Sequence, residues 1–290
     1  MLMTALIAGL VLGGTYALVA MGLTLQYGIA RIMNLAYGET MITAAFAAFI
    51  LQSALGLNPI ADLLLIVPGG FLLSWAIYAL MMRPLVTRSR DRGALEIDSI
   101  LATFGLLFVI QGVLLVIFGA NYMSYSYLNV PVSILGANVA ANRLLALVLA
   151  LAIGVTLYLL MTRTRWGTTI RAVAVAPQSA PLVGIDVNRT ARFAFALGGA
   201  LAAAGGVVIS MYQTFTATSG VVFTMKALIV VIMGGVGNLL GALSAGLILG
   251  MVETFVATYV DPGLTLAATY GIFLALLLWR PQGLFGKAAR

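Results

Sequence analysis

The sequence predicts an all-α polytopic membrane protein. Of its 290 residues 62% are hydrophobic and only 8% charged, where soluble domains run near a quarter charged. The apolar residues fall in successive runs of about 20, the length a helix needs to cross a bilayer. Polar stretches rich in Arg separate the runs, and a chain buried in lipid must satisfy its backbone internally, which here means helices.

Taken in order, the expected spans cover 2–25, 35–56, 60–82, 99–119, 143–161 and 191–212. The first is read as a retained span, because no basic region precedes it and it exceeds a signal-peptide core. The remainder, 221–279, holds a further span at 264–279 and an earlier apolar stretch interrupted by Gly234-Gly235-Val236-Gly237-Asn238. Two helices joined at that break, the first of them short, account for it best. The total is eight or nine membrane-embedded helices in one domain, 1–290, with a long polar loop at 162–190. A second loop, 120–142, is rich in Tyr and Asn and reads either as an aromatic belt with a surface loop or as a small cap.

The basic residues set the expected orientation, since Lys and Arg near span ends collect in the cytoplasm. With loops 83–98 and 162–190 and the C-terminus on one side, every basic residue except Arg143 and Lys226 lies there, including Arg31, Arg83, Arg90, Arg163, Arg189, Lys287 and Arg290. The N-terminus is then outside, and 221–260 enters and leaves the membrane again. The net charge of +7 is thereby a topology signal and does not call for nucleic acid.

Several function classes drop out. There is no Cys and no His, which removes thiolate chemistry, HExxH metalloprotease chemistry and the commonest general base. No GxxxxGK[ST] motif is present, so the chain carries no P-loop for ATP. No cofactor is expected, and an enzyme is disfavoured.

Ionisable residues inside spans are costly and therefore informative. Glu39 falls about one turn into the second span, where it is either an interfacial residue bound to backbone or Arg, or part of a pathway. Glu253 lies well along the helix after the Gly cluster. Counting at about 1.5 Å per residue from the shared break sets it some ~10 Å deeper than Lys226, so a direct pair is not expected and a polar cavity or another subunit is. Asp62 and Asp261 are expected at span ends, in reach of water. Gly241, Ala242, Ser244, Ala245, Gly246 and Gly250 offer a small-residue face for close helix packing, and backbone groups freed at Gly234–Asn238 could line a route.

From Leu12 to Ile42 the chain reads LGGTYALVAMGLTLQYGIARIMNLAYGETMI. This resembles the N-terminal signature of LivH-type permeases of bacterial ABC importers for branched-chain amino acids, matched at Gly13, Tyr16, Ala17, Leu18, Tyr27, Gly28, Asn34, Ala36, Gly38 and Glu39. Gly167, Arg171, Ala172, Gly184 and Ile185 resemble the family's cytoplasmic coupling loop, and MGGVGNLLGALSAGLILGMVE (233–253) its Gly-rich segment. Two positions depart: Tyr37 stands where the motif has His, and Val175-Ala176-Pro177 where the loop usually has polar residues.

The resemblance implies a permease that pairs with a second permease subunit, a different chain (a heterodimer) being favoured over a second copy, and works with two cytoplasmic ATPases and an external solute-binding protein. Urea and short-amide importers use very similar permeases, and sugar-type permeases or an ion-coupled transporter or channel are the other readings. On this view Asn34, Tyr37, Gly38, Glu39, Gly234, Gly235, Gly237, Asn238 and Glu253 border or gate the substrate route. Arg171, Ser179, Pro181, Leu182, Val183, Gly184 and Ile185 take the push of the ATPases, with Ser179 capping a short turn, Pro181 in its first turn and Gly184 ending it.

Overall fold

The computed structural model describes residues 2–30, 32–88, 92–125, 127–134 and 137–286; of the basic residues used for orientation, Arg31, Arg90, Lys287 and Arg290 lie outside these. The chain forms α1 (Leu2–Ala30), α2 (Tyr37–Leu55) and α3 (Pro59–Ile77). A π-helical turn, Tyr78–Met82, carries α3 into α4 (Arg83–Arg88). Then come α5 (Arg92–Phe118), α6 (Ala141–Arg163), α7 (Arg165–Val175), α8 (Val187–Ser210), α9 (Gly220–Gly234), α10 (Leu239–Tyr259) and α11 (Thr265–Trp279). Among the described residues eight helices are long and apolar enough to cross a membrane, and α9 is a shorter apolar helix. The expected all-α architecture and the broken pair at 234–238 are both present.

The interior is built on α1 and α8, whose middle turns are buried on all sides, while α5 and α11 turn most of their apolar surface outward. That asymmetry is a membrane signature: Val116 is 88% exposed and Leu278 80%, which lipid tolerates and water does not. Helices do not associate in lipid through the hydrophobic effect, so contact must come from close backbone packing. Small residues supply it. A Cβ on Gly13 of α1 would sit 2.8 Å from the Cα of Leu247 on α10, and one on Gly246 would sit 2.5 Å from the Ala17 nitrogen. The small-residue face expected on α10 is therefore the seat of α1. On α8, Gly198 lets Gln26 and Gly22 of α1 approach, Gly199 admits Ser74 of α3, and Gly206 meets the Met41 backbone of α2.

Loop 119–140 is more than a surface loop. Its residues Pro131–Ile134 and Ala137–Ala140 form antiparallel strands β1 and β2, and Met123 pairs with Phe215 through two backbone hydrogen bonds of 2.9 and 3.0 Å. This small cap roofs a polar cavity of about 630 Å³ bordered by Tyr125, Asn142, Arg143, Ser210, Tyr212 and Gln213. Tyr125 and Ser210 share a 2.9 Å hydrogen bond, and burial pushes the Tyr125 phenol up to about 12.

Candidate functional site

A buried polar seam runs through the middle of the bundle where two helices begin. After α1 ends, residues 32–36 run as non-helical chain that ends in a turn, with Ile32, Asn34 and Ala36 buried. Tyr37, the first residue of α2, places its hydroxyl 2.8 Å from the Val19 carbonyl and 3.2 Å from that of Gly198. Val19 lies well before the end of α1 at Ala30, about 16 Å along its axis. So α2 starts deep inside the bundle. Irregular backbone at such depth needs partners, and α5 supplies them: Met33 N–H donates to Ser99 Oγ at 3.2 Å and Leu35 N–H to Thr103 Oγ1 at 3.0 Å. Asn34 closes the turn by accepting from Ala36 N–H at 3.1 Å and donating to Gln26 Oε1 at 3.0 Å; Gln26 in turn donates to the Phe195 carbonyl at 2.9 Å.

The start of α9 meets the start of α2 at this point. Gly38 N–H donates to Thr224 Oγ1 at 2.8 Å, and a Cβ on Gly220 would run into the Glu39 carboxyl. Glu39 is fully buried, and neither of its oxygens has a hydrogen-bond partner. The reading of Glu39 as an interfacial residue bound to backbone or Arg is therefore overturned. Its carboxyl rests beside Gly220, between the N-termini of α2 and α9, whose dipoles favour negative charge. Asn34, Tyr37, Gly38 and Glu39 all belong to this seam. Gln26, Ser99, Thr103 and Thr224 complete the seam; in the sequence these read as ordinary polar residues within apolar helices.

The Gly cluster lies elsewhere. α9 ends at Gly234, Gly235 turns the chain with φ +97°, and Asn238 caps α10 by accepting from Gly241 N–H at 3.0 Å. The backbone groups freed here are taken up by the C-terminal segment: Leu284 N–H donates to the Met233 carbonyl at 2.8 Å, Phe285 N–H to that of Gly234 at 3.2 Å, and Asn238 Nδ2 to the Phe285 carbonyl at 3.2 Å. Gly237 packs on Gly28, near the end of α1. The turn therefore sits at the other end of α9 from the seam, about 15 Å along the helix axis from Thr224.

Glu253 corrects a further expectation. Lys226 Nζ lies 2.6 Å from Glu253 Oε1 and 2.6 Å from the Tyr16 hydroxyl, which donates to Glu253 Oε2 at 3.0 Å. Counting residues from the break compared Cα depths only. Side chains lean toward their helix N-terminus. In α9 that direction leads away from the break and in α10 toward it, so both stems close the offset. Both charged side chains are nearly nine-tenths buried, and the triad ties α1, α9 and α10 together. The same carboxylate borders a cavity of about 290 Å³ with Arg143, Tyr212 and Gln213. Asp62 is also corrected: it is fully buried with both oxygens unpartnered, not in reach of water, whereas Asp261 is exposed and caps Pro262–Leu264 by accepting from Gly263 N–H.

At the end of the bundle where α1 finishes and α8 begins, 164–186 folds as a distinct unit. Thr164 caps α7 through Gly167 N–H at 3.1 Å. The helix buries Gly167, Ile170 and Val173 and leaves Val175 86% exposed. Arg171 folds back on the Gly167 carbonyl at 3.4 Å. A 3-10 turn, Ala180–Val183, follows with Pro181 in its first turn and Gly184 ending it at φ +79°. Ser179 stands at the cap position but makes no side-chain cap bond. Ile185 N–H returns to the Ala180 carbonyl at 3.2 Å. The tip presents Leu182 and Val183, 86% and 75% exposed, and Asp186 then caps α8 through Arg189 N–H at 3.0 Å.

A bundle of lipid-facing helices around a buried, discontinuous polar seam defines a membrane transport protein. The family model described as "Branched-chain amino acid transport system / permease component" matches residues 5–279, and the chain belongs to that family. It is 27% identical to the high-affinity branched-chain amino acid transport system permease protein BraD of Pseudomonas aeruginosa, over 97% of this chain and 95% of that one. It is 29% identical to the probable branched-chain amino acid transport permease protein LivH of Methanocaldococcus jannaschii, over 93% and 88%. Among solved structures it resembles PsaBC from Streptococcus pneumoniae in complex with Fab, with a TM-score of 0.53 and 16% identity over 98% and 93% of the two chains, a likeness of fold.

Proposed function

We propose that this chain is the permease subunit of an ATP-driven importer, forming the route for branched-chain or similar hydrophobic amino acids across a bacterial inner membrane. The observation that carries the reading is the family match over residues 5–279, together with relatives named as branched-chain amino acid permeases along nearly their whole length. The chain has no nucleotide-binding motif of its own, so a separate pair of ATPases drives it. A second permease subunit completes the route and an external solute-binding protein delivers the amino acid. The N-terminus lies outside and 164–186 faces the cytoplasm, in keeping with the Arg distribution.

The seam Asn34–Glu39 with Thr224 borders the route. Its two helix starts offer one element from each half of the chain, joined by Gly38 and Thr224, that can separate as the route opens. The Gly234–Asn238 turn and the Glu253 triad act as its supports, hinge at one end and strut at the other. The apolar tip Leu182–Val183 docks on an ATPase, and Arg171, Ser179, Pro181, Gly184 and Ile185 shape that contact. An exposed Leu–Val pair on a tight, Pro-led turn is suited to an apolar socket. The test is Leu182→Asp, made in the complete transporter in proteoliposomes. Insertion and assembly should persist, while ATP-driven uptake collapses; wild-type uptake in this variant would refute the docking assignment.

A further inference from the structure

One cluster of charged side chains has no part in the transport reading. Between the π-helical turn Tyr78–Met82 and the first turns of α8 lies a cavity of about 160 Å³, lined by Tyr78, Arg83, Asp186, Asn188, Arg189 and Arg192. Three guanidiniums face a single carboxylate, and that carboxylate is occupied as the α8 cap. Among the described residues none of the three arginines is within 4 Å of an acidic group, and the ion pair recorded there is Lys226–Glu253.

Arg192 is held in a particular way. Its guanidinium carbon lies 4.0 Å from the centre of the Trp75 ring, so one face of the planar cation is covered. Its Nε is shut off from solvent and has no hydrogen-bond partner. A buried, unmet donor carries a cost, which an incoming acceptor removes. A π-turn widens the helix locally and often marks a functional position; here it forms one wall of the cavity.

The surroundings fix the depth. Trp75 stacks on Phe71 at 5.9 Å, Phe71 meets Phe193 at 5.6 Å, and Phe193 stacks on Trp166 at 4.9 Å. Such Trp-bearing clusters sit at the level of lipid headgroups. The stretch of chain leading to the cavity turns Leu72, Leu73 and Leu80 outward, 65%, 43% and 80% exposed. A charged pocket at headgroup depth with apolar surface beside it matches a phospholipid at both ends.

We propose that this pocket binds the phosphate of an anionic phospholipid headgroup, with Arg83, Arg189 and Arg192 donating to its oxygens. The guanidinium fork matches phosphate oxygens in pairs, and basic pockets between membrane helices are suited to anionic headgroups. The net charge of the pocket disfavours a zwitterionic headgroup, whose own cation the arginines repel. The site is independent of which solute the protein carries.

The experiment uses the full chain purified in a neutral detergent, with phosphatidylglycerol, phosphatidylcholine or inorganic phosphate added. Retained lipid is read by native mass spectrometry and stabilisation by thermal unfolding. Phosphatidylglycerol should be retained and should raise the unfolding temperature, phosphatidylcholine should not. Arg189→Gln with Arg192→Gln should weaken retention by about tenfold or more, as expected on losing charge-assisted bonds. Arg163→Gln, which removes an exposed charge at the same end outside the pocket, should leave retention unchanged. If the double variant retains phosphatidylglycerol like the wild type, or Arg163→Gln loses as much, the pocket assignment is overturned. If inorganic phosphate stabilises as strongly as phosphatidylglycerol, the phosphate chemistry stands and the lipid as its source is overturned. Should the double variant fold poorly, the single Arg189→Gln, at an exposed position, carries the test.

Discussion

Removing Lys226 from the α1–α9–α10 triad should destabilise the protein more than removing the whole ion pair. In Lys226→Met the Glu253 carboxylate keeps the Tyr16 hydrogen bond of 3.0 Å but loses its 2.6 Å countercharge, in a place where both side chains are only 11% and 13% exposed. An uncompensated charge so buried costs about 3–5 kcal/mol. Glu253→Met strands the Lys226 ammonium in the same way and should cost about as much. The double variant removes both desolvation penalties, and replacing a buried pair by apolar groups of similar volume is often close to neutral. It should therefore be more stable than either single variant. Tyr16→Phe deletes only hydrogen bonds to charged groups and should cost about 1.5–3 kcal/mol. Unfolding by denaturant titration in mixed micelles gives the four free energies and the coupling between the sites. Single variants as stable as the wild type, or a double variant that loses the full sum of the two, would refute the argument.

Three further outcomes follow from the packing. Gly250→Val should abolish stable folding, because its side chain would enter the Gly13 backbone, whereas Gly69→Ala, with nothing within 4 Å, should not lower the unfolding temperature. Glu39→Gln keeps the shape of the seam and removes the acid; uptake should slow, while folding and assembly persist. Normal uptake would move Glu39 from the route to plain packing. Cysteine placed at Ser133 should react with an impermeant thiol reagent added outside and cysteine at Ser179 should not, against a background free of native cysteine; the reverse pattern would invert the proposed orientation.

How much of this was legible beforehand differs by element. The long helices follow from apolar runs whose lengths are dictated by bilayer thickness, and α5 merely starts earlier than expected, at Arg92. The Gly234–Asn238 break was visible because two glycines with positive φ and an Asn cap are local requirements written in residue type. So was the Pro181–Gly184 turn. Asn34–Glu39 could be picked out by motif, but not its re-entry into the bundle, which depends on Ser99 and Thr103 from another helix.

Residue order alone settles what local chemistry decides: an all-α membrane chain, where its helices break, and which stretches carry the basic charge. Tertiary structure alone decided which polar groups meet. Glu253 and Lys226 are 27 residues apart and face each other only because their side chains lean in opposite directions across the α9–α10 turn. Glu39 and Asp62 lie buried without partners because neighbouring helices close over them, and Arg192 finds Trp75 only when α8 packs on α3. The physical reason is one of range. Helix formation and membrane insertion are settled by hydrogen bonds and hydropathy within a few turns. A buried charge is settled by whatever group the packing sets a few ångströms away, however distant it is along the chain.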